Sequence, residues 1–192
     1  MIKNWKQLTD LRNVNRQSVA MRMEEAGDHP FDFEIMVCAG TGCLSSKSDD
    51  FVAAVKEELA KNDMTDKVNV VRTGCFGLCA QGPIVIVYPD GVFYHQVKTK
   101  DAKKIVNQHL IKGEYVEKLL YHDHKTKEVV NKLMDTPFYH KQKRVALDNC
   151  GRIDPEKISD YIAFDGYQAL AKVVNDYTAD DIIKILETSG LR

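Results

Sequence analysis

Cys38-Ala39-Gly40-Thr41-Gly42-Cys43 and Cys75-Phe76-Gly77-Leu78-Cys79 decide how this chain is read: two tight cysteine pairs with 31 residues between them. Four thiols delivered by two loops make a ligand site, and two occupants compete for it. Structural zinc accepts four cysteines with spacers of about this length. A [2Fe–2S] cluster also takes four thiolates. Glycines crowd both loops, at positions 40, 42, 74, 77 and 82. Residues without a Cβ let backbone amides approach sulfurs that carry negative charge and need donors. The flanks Val37, Leu44, Phe76, Leu78 and Ile84 are apolar and would shield a redox centre. These features favour the cluster, with a zinc-bound, redox-inactive interaction module as the competing reading.

Working outward, each pair follows a strand. Residues 31–37 read as a strand ending at Cys38, and residues 68–72 as a second entering the Cys75 loop. Between them Ser48 is a good N-cap, Asp49 and Asp50 suit a positive helix start, and Phe51, Val52, Val55 and Leu59 form one stripe. Beyond Pro83, the run Ile84-Val85-Ile86-Val87-Tyr88 reads as a buried strand. Pro89-Asp90-Gly91 is a tight turn and residues 92–95 its hairpin return. Thr99 opens a helix with Ala102, Ile105, Val106 and Leu110 on one face, closed by Gly113. The order strand, helix, strand, strand, strand, helix predicts a self-contained α/β domain over residues 31–113. Such a domain already has a core, which a structural zinc usually replaces.

The flanks differ. Residues 1–30 read as an N-terminal amphipathic helix, with Trp5, Leu8, Leu11, Val14 and Val19 near helical spacing and a stop at 27–30. Residues 114–147 mix charge and isolated apolar residues without a period, and Pro137 interrupts them; they read as a linker. Lys98 to Arg144 carries twelve basic and six acidic residues, which is read as a solvated surface rather than as a dock for an acidic partner. Residues 148–192 carry three short helical signals, opened by Pro155, Gly166-Tyr167 and Thr178. So small a helical piece buries little surface alone.

The chain has 192 residues, a net charge of −1, 44% hydrophobic and 29% charged residues. This is the balance of an ordinary globular protein, and it argues against nucleic-acid or anionic-membrane binding. No apolar run reaches a membrane span, and the first residues lack the apolar stretch of a signal peptide. The expected location is cytoplasmic, where thiols stay reduced, so two disulfides are disfavoured.

The pattern Cys38-x-Gly40-Thr41-Gly42-Cys43 with Thr73-Gly74-Cys75-x-Gly77-x-Cys79 and Gly82-Pro83 resembles the thioredoxin-like [2Fe–2S] ferredoxin family. The resemblance implies a thioredoxin-like α/β fold and a [2Fe–2S] cluster ligated by Cys38, Cys43, Cys75 and Cys79. Downstream, Asn149-Cys150-Gly151-Arg152-Ile153-Asp154-Pro155, Gly166-Tyr167 with Ala169-Leu170, and Ser189-Gly190-Leu191-Arg192 are similar to the opening of the flavin- and NADH-binding subunit. That subunit serves respiratory NADH dehydrogenase and electron-bifurcating hydrogenases. A ferredoxin domain fused ahead of it looks most like the hydrogenase beta subunit, here truncated before the FMN-binding loop. The implied role is one-electron transfer in an NAD(P)H-linked oxidoreductase complex. Its partners would be other iron–sulfur and flavin subunits, and FMN and NAD(P)H would bind only in the missing part.

Other residues invite attention. Cys150 lacks a partner in sequence and reads as a free thiol. His122 and His124 sit among charges and read as exposed; His95 reads as surface. Asp101, Asp180 and Asp181 read as helix-start charges. Thr41 and Thr73 stand equally as hydroxyl donors to the site's sulfurs and as caps of their own turns. No nucleophile, paired acid and base, or Cys-x-x-Cys opening a helix stands out, which favours a carrier over a stand-alone catalyst or a thiol oxidoreductase.

Overall fold

A computed structural model describes residues 4–25, 27 and 29–191. Strands β1 (Phe33–Cys38), β2 (Val68–Thr73), β3 (Val85–Tyr88) and β4 (Val92–Tyr94) form one sheet in the order β2-β1-β3-β4. The β1–β2 pair is parallel, with Cys38 opposite Thr73, whereas β1–β3 and β3–β4 are antiparallel. The parallel pair needs a crossover connection, and helix α3 (Ser48–Lys61) supplies it.

Side chains alternate across the sheet, so successive residues of β1 go to opposite layers. Ile35 and Val37 join Phe51, Val55 and Leu59 of α3 in one core. Also in it are Ala102, Ile105, Val106 and Leu110, from helix α4 (Ala102–Lys104) and its continuation, a π-helical segment Ile105–Leu110. Met36 and Cys38 face the other way, into a second core with Met21, Ile84, Ile86, Phe93, Leu133 and Tyr139. Both faces of the sheet are thus covered, which is why residues 33–38 and 84–88 are nearly unbroken apolar runs.

The predicted order of elements holds between residues 33 and 110, with changes at the ends. Ser48 is not the cap of α3: Lys47 occupies that position in the left-handed region (φ 66°), and the Ser48 hydroxyl is buried without a partner. Helix α1 (Trp5–Val19) is shorter than the sequence suggested, giving way to a 3-10 turn, Ala20–Met23. Of its apolar stripe only Leu8 and Val19 are buried, while Trp5, Leu11 and Val14 are exposed. Asp28 of the expected stop lies outside the described residues.

Residues 114–147 depart most from expectation. They do not hang free. Leu120 bridges to Tyr94 and Lys132 to Val92, while β5 (Tyr121–His122) and β6 (Val129–Val130) form a small hairpin between them. Helix α5 (Pro137–His140) follows, with Thr136 as N-cap and Pro137 at its first position, where a missing N–H costs nothing. Val116, Leu119, Leu120, Leu133 and Tyr139 are all buried. Charge conceals these residues because they contact a sheet edge and face rather than a helix neighbour, so no period marks them.

The last helices are α6 (Ile158–Ala163), α7 (Gln168–Asp176) and α8 (Ala179–Ser189), the last opened by a Thr178/Asp181 capping box. Only α6 is anchored deeply. Arg22 donates to Glu34 (2.9 and 3.1 Å), to Asp160 (2.6 Å) and to the Arg152 carbonyl (3.1 Å), and Asn69 donates to Glu34 (2.7 Å). This buried network ties the N-terminal turn, β1, β2 and α6 together on the face that also carries Cys38. Helices α7 and α8 bury no residue. Among the described residues no helix is long and apolar enough to cross a membrane.

Candidate metal centre

Parallel neighbours end at the same edge of a sheet, and an antiparallel third strand begins there. Cys38 is the last residue of β1, the Cys75 loop leaves β2, and the turn after Cys79 re-enters at β3. The Cys38 N–H donates to the Ile84 carbonyl (3.0 Å) and the Ala39 N–H to the Thr73 carbonyl (2.9 Å), which fixes the three chain segments against one another. Within the first loop, residues 41–45 wind into a short helix α2 (Thr41–Ser45), an element the sequence did not announce. It turns Cys43 back toward Cys38.

The two loops interlock through glycine. A Cβ on Gly40 would meet Cys75 Cβ at 3.0 Å and its Sγ at 3.3 Å. A Cβ on Gly82 would meet Cys43 Sγ at 2.8 Å and the Cys79 carbonyl at 3.2 Å. Each loop therefore presses bare backbone against a cysteine of the other pair, and a side chain at either point would hold them apart.

Cys75 Sγ and Cys79 Sγ stand 3.8 Å apart, and Cys43 is in contact with Cys38. Cys38 and Cys43 are buried, Cys75 and Cys79 exposed. Burial, with the Cys38 contact, pushes the Cys43 thiol up to about 12. The Cys79 thiol is raised as well, chiefly by its contact with Cys75. Protons held this firmly must leave when thiolates bind a metal. The Gly77 N–H, at a residue with φ +84°, donates to Cys75 Sγ at 3.3 Å. Among the described residues no three or more His, Cys, Asp or Glu side chains gather closely enough to hold one metal ion. The sulfurs meet as two pairs, Cys38 with Cys43 and Cys75 with Cys79.

The apolar shield is partial. Val37, Phe76 and Ile84 are buried, Leu78 is half-buried and Leu44 is exposed. Phe76 is held down by the C-terminal segment: a Cβ on Gly151 (φ +88°) would strike the Phe76 ring at 2.4 Å. Thr73 takes neither expected role, since its buried hydroxyl donates to the Ile153 carbonyl at 2.7 Å. Thr41 opens α2, where Gly40 is the N-cap and no side chain caps the turn.

Tyr139 is the residue that sequence reasoning missed. It is 2% exposed, yet its hydroxyl has no hydrogen-bond partner. The oxygen lies 3.8 Å from where a Gly77 Cβ would sit. Burial pushes its pKa up, Arg144 opposes this, and charge on Cys75, Cys150 and Cys38 adds to it. Thr136-Pro137 was the available signal, a helix start just before two aromatics.

Cys150 is half-buried beside Tyr139, and its carbonyl accepts from Arg144 at 3.1 Å. His122 and His124 are exposed, as expected. His95 is not simply surface: its Nδ1 lies 2.9 Å from Gln81 Oε1 and its ring between Phe93 and Tyr121. Asp101 accepts from the Lys98 N–H at 3.0 Å, closing the 3-10 turn Thr99–Asp101 that leads into α4. Asp181 caps α8.

Comparison with known proteins bears on the occupant. Residues 22–110 match the family model for thioredoxin-like [2Fe-2S] ferredoxin. A 2Fe-2S ferredoxin of Clostridium pasteurianum is 47% identical over 77 residues, 40% of this chain and 76% of that protein. The NADP-reducing hydrogenase subunit HndC of Solidesulfovibrio fructosivorans is 52% identical over 52 residues, 27% of this chain but 10% of that subunit. The crystal structure of the wild-type thioredoxin-like [2Fe-2S] ferredoxin from Aquifex aeolicus is similar at 32% identity and a TM-score of 0.45, over 48% of this chain and 99% of that one.

Proposed function

Because the chain belongs to the thioredoxin-like [2Fe–2S] ferredoxin family, we propose that it carries single electrons on a cluster held by Cys38, Cys43, Cys75 and Cys79. The observation that carries the ligand assignment is the interlock of the two loops, with Gly40 against Cys75 and Gly82 against Cys43. In this reading Cys38 and Cys43 hold the inner iron, and Cys75 and Cys79, with their sulfurs 3.8 Å apart, hold the outer one. The cluster supplies the redox chemistry; the protein ligates, shields and donates hydrogen bonds. The exposed Cys75 and Cys79 mark the edge where a partner's redox centre comes closest.

We further propose that the chain works within a multisubunit NAD(P)H-linked oxidoreductase in the cytoplasm. The similarity to a hydrogenase subunit supports this. So do the apolar side chains left exposed on α7 and α8, Leu170, Val174, Ile183 and Leu186 among them. Flavin and pyridine-nucleotide chemistry then belongs to polypeptide outside these residues. Anaerobic purification tests the first claim: the chain should be brown, carry two irons and two sulfides as a [2Fe–2S] centre requires, and bleach with dithionite. A colourless protein with one tightly held zinc would refute it. The second claim requires NADH or NADPH to reduce the chain only when a flavin-bearing partner is added. Reduction without that partner would count against it.

A further inference from the structure

Resting on the cluster reading above, we infer that the Tyr139 hydroxyl donates a hydrogen bond to the sulfur shell of the [2Fe–2S] centre, from a strap outside the ferredoxin module. The module spans residues 22–110, and Tyr139 comes from α5, 29 positions beyond its end.

Three observations converge. The hydroxyl is buried and finds no partner in the chain. Leaving it so costs the full desolvation of the group, which folded proteins seldom carry without a bonding partner. It also lies beside the outer cysteine loop. The oxygen is 3.8 Å from where a Gly77 Cβ would sit, and the Gly77 N–H already donates to Cys75 Sγ at 3.3 Å. Finally, the ring is fixed. Its backbone N–H donates to Thr136 Oγ1 at 3.4 Å, Phe138 packs edge-on at 5.6 Å, and the Arg144 guanidinium stacks 4.9 Å from the ring centre. Arg144 is in turn held by the Cys150 carbonyl. The hydroxyl cannot swing out to water without undoing this stack.

A phenol is a donor at neutral pH, and thiolate or sulfide sulfur is a negatively charged acceptor. Reduction adds a negative charge to the cluster, so a donor stabilises the reduced state more and raises the potential. Tyr139 thereby links cluster tuning to the segment that runs on into the C-terminal helices, and anything that shifts that segment shifts the potential.

Tyr139→Phe in the full chain tests this, because it removes one oxygen and keeps the ring. Iron and sulfide are measured first in both proteins; their absence from the wild type would refute the cluster reading itself. With the cluster present, the variant should titrate at a more negative potential. The reduced-to-oxidised ratio at fixed poise should fall about threefold to tenfold, the latter being 59 mV for one electron. A second arm needs no mutation at this site. Fluorotyrosine incorporation strengthens the phenol as a donor and should raise the potential of the wild-type sequence, so it decides the matter should Tyr139→Phe lose its cluster. Equal potentials in Tyr139→Phe and wild type, or no shift on fluorination, would overturn the inference.

Discussion

Gly82→Ala isolates the loop interlock with little else disturbed. Gly82 has φ −70° and ψ 159°, a conformation any residue adopts, so alanine brings no backbone strain. Its effect on the unfolded chain is stabilising by about 0.4–1 kcal/mol. Against this stand two contacts, the new methyl lying 2.8 Å from Cys43 Sγ and 3.2 Å from the Cys79 carbonyl. Non-bonded heavy atoms rest at about 3.5–4.0 Å, so the overlap with sulfur approaches an ångström. Overpacking of this kind costs about 1–3 kcal/mol, which leaves a net loss of about 0–2.5 kcal/mol in the apo-protein. Since the carbonyl belongs to the backbone, the sulfur gives way. The cluster then loses the position of one ligand, and retention should fall far more than stability. Gly40→Ala should behave alike, its methyl meeting Cys75 Cβ at 3.0 Å and Cα at 3.4 Å. Gly42→Ala is the control. Its methyl would lie 3.9 Å from Cys79 Cβ, and alanine favours helix α2 by about 1 kcal/mol. Iron and sulfide after anaerobic reconstitution, with thermal unfolding of each apo-protein, read the two effects separately. Wild-type cluster content in both Gly82→Ala and Gly40→Ala would refute the interlocked geometry.

Three further outcomes are expected. Arg22→Met leaves Glu34 and Asp160 buried without their cation and should cost about 3–5 kcal/mol in urea unfolding, a loss below about 1 kcal/mol contradicting the network. Cys75→Ser should lose most of the cluster, whereas Cys150→Ala should keep the wild-type spectrum; similar spectra for both would be the contrary result. Burial lowers the pKa of His109, with Asp90 opposing. Its Nδ1 lies 2.9 Å from the Tyr94 hydroxyl, which accepts from the Val116 N–H at 3.1 Å and so has its own proton to give. The unfolded state therefore binds the proton more readily, and stability present above about pH 6.5 is lost as the pH falls below it. The slope should approach about 1.4 kcal/mol per pH unit at most and flatten in His109→Gln. An unchanged slope in the variant would show that another group titrates.

What could be read from the sequence followed from local periodicity. Strand β3 announces itself by an apolar run, and α3 by a stripe, Phe51, Val52, Val55 and Leu59, that the structure buries on one helix. The sulfur site was legible for a different reason. Two cysteines per loop with glycines between them leave few alternatives to a metal centre, whatever the topology. The interlock itself was not legible, because the partners of Gly40 and Gly82 lie 35 and 39 positions away in sequence. Only the shared sheet edge brings them together. Arg22 and Glu34 carry no local signal for the same reason. Each looks solvated by composition, and the pair becomes intelligible only once Asp160 arrives from the far end of the chain.

The charge-rich stretch after residue 113 shows how composition misleads when burial is set by a surface already built. Strand β4 is an edge strand, and an unpaired edge invites pairing with another chain. Here the Phe93 N–H donates to the Asn131 carbonyl at 2.7 Å and the His95 N–H to the Leu119 carbonyl at 3.0 Å, so the stretch closes that edge with its own backbone. It then turns under the sheet, where Leu133 and Tyr139 meet Met36, Ile86 and Phe93. Between these anchors the chain faces water and is free to carry lysine. The spacing of its buried apolar residues, 116, 119, 120, 133 and 139, thus records the distance between an edge and a face rather than any helical or strand period. The same path brings the Tyr139 hydroxyl beside Gly77, and so one segment both seals the sheet and reaches the outer cysteine loop.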